Sequence, residues 1–196
     1  TAASSITASN SVNSGGNSCW TFGGGLPGTL AISNNAGGIE YSKFDESLDP
    51  TDQTVTNAEL FSFQLTPTEE TVTASPIVIR LSYIQSVNCG DFTSLNLYDD
   101  ADADGDVDGG ESTAGSVACS MSGNSGTMSI TSAFSSAVAK NFVLRAGTFS
   151  NNNPGNSIRF SLAPSDITAT APIAGSITPT GSVTEVNQFR SNISGS

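Results

Sequence analysis

Phe92-Thr-Ser-Leu-Asn-Leu-Tyr98, then Asp99, then Asp100-Ala-Asp-Ala-Asp-Gly-Asp-Val-Asp-Gly-Gly-Glu111, then Ser112-Thr-Ala-Gly-Ser-Val-Ala-Cys119: this stretch decides how the chain is read. Leu95 and Leu97 alternate with polar neighbours, and Val117 and Cys119 share one face of the segment that follows. That is the period-two pattern of strands. Between them, residues 100–111 match the twelve-position loop D-x-[DN]-x-[DN]-G-x5-E without a mismatch. Ca²⁺ is a hard cation that takes six to eight oxygens, and this spacing supplies them at fixed offsets. Asp100, Asp102 and Asp104 offer side-chain oxygens from positions one, three and five, and Asp106 its backbone carbonyl from position seven. Asp108 serves at position nine, directly or through a water, and Glu111 closes the site as a bidentate ligand. Gly105 stands at position six, where the chain must turn sharply, and Val107 at position eight can anchor the loop's back to a core. Neither flank has a helical period, so the loop joins two strands and cannot open a helix pair as a calcium sensor does. The expected role of Ca²⁺ is structural.

Composition narrows the setting. The chain has 196 residues, 18 acids, 6 bases and no histidine, for a net charge of −12. Seven of the acids crowd between Asp99 and Glu111, so the remainder carries only a mild excess. With no basic stripe, binding to nucleic acid through phosphate neutralisation is not expected. Charged residues make up 12% of the chain, about half the ordinary share, while Ser, Thr, Asn and Gly abound, a profile of secreted and surface β-proteins. The chain starts at Thr1 without methionine or an apolar leader, as expected once a signal peptide has been removed. No apolar run approaches the roughly 18 residues needed to span a bilayer. An extracellular, cell-surface location is expected.

The rest of the chain reads as short β-patterned runs separated by turn residues. Thr29-Leu-Ala-Ile32 follows a Pro27-Gly28 turn. Phe61, Phe63 and Leu65 share one face of the run from Ala58 to Leu65. Ile77, Ile79, Leu81 and Tyr83 alternate through the next. Met128 with Ile130, Phe142 with Leu144, and Ile158, Phe160 and Leu162 repeat the pattern. Asn34-Asn35, Gly123-Asn124 and Asn151-Asn152-Asn153-Pro154-Gly155 stand between runs, and residues 133–140 allow one helical turn at most. Seven or more strands at this spacing predict an all-β fold, a single β-sandwich of jelly-roll or Ig-like type. Its expected extent is residues 25–170, between an N-terminal extension over 1–24 and a C-terminal one over 171–196.

Three cysteines leave one over. A hairpin pairing 93–98 with 115–121 brings Cys89 and Cys119 within disulfide reach, bridging the base of the acidic loop. Cys19–Cys89 and Cys19–Cys119 remain open as pairings, as do three reduced thiols. The ends are polar, and composition alone makes Thr1–Gly16 disordered. A strand donated to a neighbour's sheet edge gains main-chain hydrogen bonds whatever its side chains. Residues 1–13 are therefore a candidate donor strand, with 171–196 as the second choice, and self-association into a homopolymer is the expected partnership.

The order of Ala58-Glu-Leu-Phe-Ser-Phe-Gln-Leu-Thr66, Glu70-Thr-Val-Thr73, Leu95 through Gly105, Phe142-Val-Leu-Arg-Ala146, Ser157-Ile-Arg-Phe-Ser-Leu162 and Asp166-Ile-Thr-Ala-Thr170 resembles a calcium-loop β-sandwich domain of large secreted bacterial surface proteins. The resemblance covers roughly residues 25–170, and only the acidic loop within it is highly specific. It implies an extracellular structural or adhesive role with no catalytic residues. A looser similarity, one of architecture, is to surface filament subunits that assemble by strand donation.

Without histidine, Ser-His-Asp and Cys-His mechanisms and a histidine-liganded zinc site are excluded. Glu40, Asp45, Glu46, Glu59 and Glu69 read as lying in loops or turn-like segments, with no spacing diagnostic of a glycosidase pair. The sequence therefore predicts a non-enzymatic structural subunit of an extracellular filament or surface layer. The alternative is an adhesive or carbohydrate-binding module with a glycan or surface partner, for which Trp20, Tyr41 and Phe44 are the candidate platform aromatics. Asn192-Ile-Ser194 is a lone glycosylation sequon, a weak signal.

Overall fold

A computed structural model describes residues 6–7, 20–21, 27–38, 54–132, 134–150 and 156–188. About two thirds of these residues are strand, with no α-helix among them. The short β1 (Ile6–Thr7) and β2 (Trp20–Thr21) pair with each other in parallel. Then come β3 (Thr29–Ser33), β4 (Val55–Thr68), β5 (Val72–Gln85), β6 (Phe92–Thr93), β7 (Asn96–Asp100), β8 (Ser112–Ser122) and β9 (Ser125–Ile130). They are followed by β10 (Phe134–Ser136), β11 (Lys140–Phe149), β12 (Ser157–Leu162), β13 (Ile167–Ala171), β14 (Gly175–Ile177) and β15 (Val183–Gln188). Single 3₁₀ turns occupy Cys89–Asp91 and Pro164–Asp166.

Strands β3 to β15 form one antiparallel sheet with two arms that share β8. One arm runs β3-β4-β11-β7-β8 and the other β8-β9-β5-β13-β14, with β12 lying between β5 and β15. Residues 112–116 of β8 pair with β7, whereas 117–122 pair with β9, so this strand carries the chain from one arm to the other. At the far margins, the Ile32 N–H donates to the Thr180 carbonyl at 2.7 Å, and the Thr180 N–H donates to that of Leu30 at 2.9 Å. This bridge brings the sheet close to closing on itself as a barrel. Closure satisfies main-chain groups that an open edge would offer to other chains.

Period-two apolar patterning explains the core. Phe61 and Phe63 of β4 meet Phe160 of β12 and Phe142 of β11, with ring centroids 6.0 Å and 5.3 Å apart. Ile77, Ile79, Leu81 and Met128 of the other arm are buried with them. Each such side chain contributes about 1.5–3 kcal/mol through burial.

The C-terminal segment, expected to be an extension, carries two further strands: β14 pairs with β13, and β15 with β12, and Ile177 and Val183 are buried in the core. The region expected to make a helical turn holds β10 instead, paired with β5. Of the expected donor strand over residues 1–13, only Ile6–Thr7 is described, paired to Trp20–Thr21 of the same chain; the rest lies outside the described residues. Cys19, Glu40, Tyr41, Phe44, Asp45, Glu46 and Asn192 also lie outside them, and Trp20 is placed only as part of β2.

Candidate metal centre and its docking on the sheet

The acidic loop connects β7 to β8, as its strand-like flanks predict. Asp100 ends β7 and is 1% exposed. Its Oδ1 accepts the Ala103 N–H at 2.7 Å, and its Oδ2 accepts the Gly105 N–H at 3.1 Å and the Asn35 side-chain amide at 2.5 Å. Carboxylate oxygens of Asp100, Asp102 and Asp104 lie within 4.8 Å of one another. Glu111 folds back from position twelve: its Oε1 accepts the Ala101 N–H at 2.8 Å, while its Oε2 is buried with no hydrogen-bond partner. Asp106 and Asp108 turn one oxygen each to nearby main chain, accepting from Val107 at 2.7 Å and Gly110 at 3.2 Å. Three of the six expected ligands thus converge, and a fourth offers a free buried oxygen.

Electrostatics report the crowding. Burial pushes the Glu111 carboxyl up to about 7, against the Ala101 N–H, with the Asp100 and Asp102 charges adding to the rise. Desolvation also raises the Asp102 carboxyl, helped by the charges of Asp104, Asp108 and Asp100. A carboxylate has about four lone-pair sites, so even Asp100 keeps one after its three hydrogen bonds. An all-oxygen set of this kind fits a hard divalent cation.

The segment leaving β3 packs directly on the loop. Gly105 has φ +85°, and a Cβ there would lie 2.2 Å from the Gly38 carbonyl oxygen. A Cβ at Gly37 would meet the Asp104 carbonyl oxygen at 2.2 Å. Glycine is therefore required at these contacts for space, and at Gly105 for conformation as well.

The back of the loop is fastened at Val107, which is 7% exposed. Its N–H donates to Oε1 of Glu59 at 3.0 Å, and its carbonyl accepts from Nη1 of Arg145 at 2.8 Å. Glu59 and Arg145 are cross-strand partners on β4 and β11. Strict alternation back from Leu65, Phe63 and Phe61 puts Glu59 among the phenylalanines. The β4–β11 register shifts between Leu144, opposite Phe61, and Arg145, opposite Glu59. Leu60 is the extra residue, and the bulge turns Glu59 to the face the loop crosses. Glu59 is thus no loop carboxylate; it is fully buried in mid-strand. Asn35, Glu59 and Arg145 were not apparent as partners of the loop. The one available hint was a charged residue inside an apolar alternating run.

Cys89 and Cys119 form the expected disulfide, with Cα atoms 5.7 Å apart. Its position differs from expectation. Cys89 stands in a 3₁₀ turn after β5, and Cys119 lies eight residues beyond Glu111, in the half of β8 that pairs with β9. At strand rise that is roughly 26 Å from the loop's end, not at its base. A half-open cavity of about 220 Å³ adjoins β7, floored by Ile77, Ile130 and Phe142 and edged by the Lys140–Asp99 ion pair.

No protein-family model matches this chain, and no curated protein matches it. The likeness to calcium-loop surface domains therefore rests on the residues quoted for it.

Proposed function

We propose that the protein is a calcium-stabilised structural subunit of an extracellular filament or surface layer, a β-sandwich whose two arms of sheet pack face to face. The carrying observation is the convergence of Asp100, Asp102 and Asp104 beside the open Oε2 of Glu111, on a connection tied to three other parts of the fold. Asp100, Asp102, Asp104, Asp108 and Glu111 would hold Ca²⁺ with their carboxylates, and Asp106 with its carbonyl. Bound there, the ion supplies positive charge against the densest acid cluster of the chain. The protein's part is to hold those oxygens in place: Asn35 orients Asp100, Ala101 orients Glu111, and the Glu59–Arg145 pair fixes the loop's back. A loop between two paired strands has no helix pair to open, so stiffness is the property it gains. The disulfide and the low-charge, Ser- and Thr-rich composition support an oxidising, extracellular setting.

Assembly proceeds in this reading by strand donation between copies, with residues 1–13 as the donor. Calorimetric melting in Ca²⁺ and in excess chelator tests the site, and electron microscopy of the Ca²⁺-loaded chain tests the polymer. A ligand that binds only the folded state adds about 2.7 kcal/mol at a hundredfold excess over its Kd, so chelation should lower Tm by several degrees. An unchanged melt with metal removal verified rejects the calcium site. Dispersed monomers in Ca²⁺ reject the filament.

A further inference from the structure

Along β5, alternation from Ile77, Ile79 and Leu81 carries Tyr83 into the core. The structure does otherwise. On β12, Ser157 and Arg159 face Gln85 and Ser82 of β5, so β5 holds one residue more than its partner at this point. The bulge passes the inward position to Ile84, 7% exposed, and leaves Tyr83 66% exposed with φ +50°. A bulky L-residue in that region is an uncommon and strained conformation. Strain of this kind persists where the surroundings hold it, often at functional sites.

Arg159 lies across the strand pair with its guanidinium carbon 4.3 Å from the Tyr83 ring centroid. The described ion pairs are Arg80–Asp166 and Lys140–Asp99, and no described carboxylate pairs with Arg159. Its Nε is buried without a hydrogen bond. In a chain of net charge −12, this is an exposed aromatic ring stacked with a cation that no described carboxylate neutralises. The neighbouring rows of the sheet bring hydroxyls: Ser82 stands opposite Ser125, and Thr127 stands opposite Arg80, whose own charge is matched by Asp166. The acidic loop belongs to a different part of the sheet, and screening beyond ~8 Å leaves the local groups to set the field here.

We propose that Tyr83 and Arg159 form a binding site for an acidic saccharide, a glycan bearing uronate carboxylates. The open surface of the ring stacks against the C–H face of a pyranose, and the guanidinium takes the carboxylate in a two-pronged hydrogen bond. The serine and threonine rows meet sugar hydroxyls. An acidic peptide would use the charge and leave the ring idle. An anionic membrane gains only ~1 kcal/mol per basic side chain, too little from one arginine. The proposal stands apart from the calcium reading, since none of its residues belongs to the loop.

Isothermal titration of the Ca²⁺-loaded protein with oligogalacturonate tests it, with maltohexaose as neutral control and polyglutamate and phosphatidylserine vesicles as anionic ones. Oligogalacturonate should bind at least about tenfold more tightly than each control. Arg159→Gln and Tyr83→Ala, with melting curves confirming the fold, should each weaken it about tenfold or more. Arg159→Lys, which keeps the charge without the fork, should fall between. No binding, equal binding of polyglutamate or vesicles, or affinity unchanged in both variants would overturn the proposal. The last outcome would place the uronate elsewhere on the protein.

Discussion

Replacing both bridged cysteines by alanine separates the work of the disulfide from that of the loop it encloses. The bridge closes a loop with a sequence separation of 30. In the chain-entropy picture, 2.1 + 1.5R ln n with n of about 30 gives ~12 cal/mol/K, or about 3.6 kcal/mol at 25 °C. For a chain of this size that corresponds to a Tm drop of roughly 7–14 °C. The stabilisation resides in the unfolded chain, so the variant should unfold at lower denaturant and with a steeper m-value, because its unfolded state is less compact. The bridge is also roughly 26 Å along β8 from Glu111. Ca²⁺ affinity should therefore stay within about twofold of the parent, and the losses from chelation and from bridge removal should add. Denaturant melts of the parent and double variant, each with Ca²⁺ and with chelator, give all four states. A loss below about 1 kcal/mol with unchanged m would refute the loop-closure reasoning. A joint loss well away from the sum would refute the spatial separation.

Glu70 stands at the crossover from β4 to β5 and ties the sheet's margins together, accepting N–H bonds from Gly28 at 2.8 Å, Ile173 at 2.7 Å and Ala174 at 2.9 Å. Desolvation pushes its carboxyl up, but those three donors outweigh it and hold the pKa below its ordinary 4.5. Its stabilising effect is therefore in full force above the unfolded pKa and lost as pH falls through the lower folded one. Glu70→Gln should melt below the parent near pH 7, with the gap closing as pH falls below the ordinary 4.5; a gap independent of pH contradicts the charge argument. Arg145→Met removes the donor to the Val107 carbonyl and should cost about 1–3 kcal/mol in denaturant melts. It should also weaken Ca²⁺ binding measured by titration; unaltered affinity in a folded variant would show that the dock does not shape the site.

What the sequence made legible follows the reach of each signal. Runs of alternating apolar residues placed β3, β4, β5, β9, β11 and β12, because period two survives any tertiary arrangement. Alternation fails at a bulge, since one extra residue flips everything beyond it. Both misplaced side chains, Glu59 and Tyr83, sit at such points. The twelve-position loop was visible because its partners are close in sequence. Asn35 meets Asp100 across 65 positions and Glu70 meets Gly28 across 42, and no local pattern encodes either contact. Strands β14 and β15 were hidden because Ile177 and Val183 are spread among Gly, Ser, Thr and Pro, and their order comes from pairing to β13 and β12.

The placement of these contacts argues for a mechanical logic centred on β8. A curled sheet has two seams where its arms meet. At one, β8 itself crosses, so that seam is continuous main chain. The acidic loop delivers the chain into the start of this strand, and the loop is held by Asn35 beyond β3, Glu59 on β4 and Arg145 on β11. The Cys89–Cys119 bridge holds the strand's other half. At the second seam, β3 meets Thr180 through the two hydrogen bonds described, and the Glu70 carboxylate clasps the neighbouring Gly28 and Ile173–Ala174 segments. Hydrogen bonds of this kind contribute about 0.5–1.5 kcal/mol each, so this second seam is held by only several kcal/mol, whereas the first is covalent. Tension that pulled the arms apart would open it first and leave the β8 seam intact. In the proposed reading, cation binding at the β7–β8 loop would reinforce the seam that is already covalent, as suits a body that keeps its two arms in register under load better than one that opens and closes.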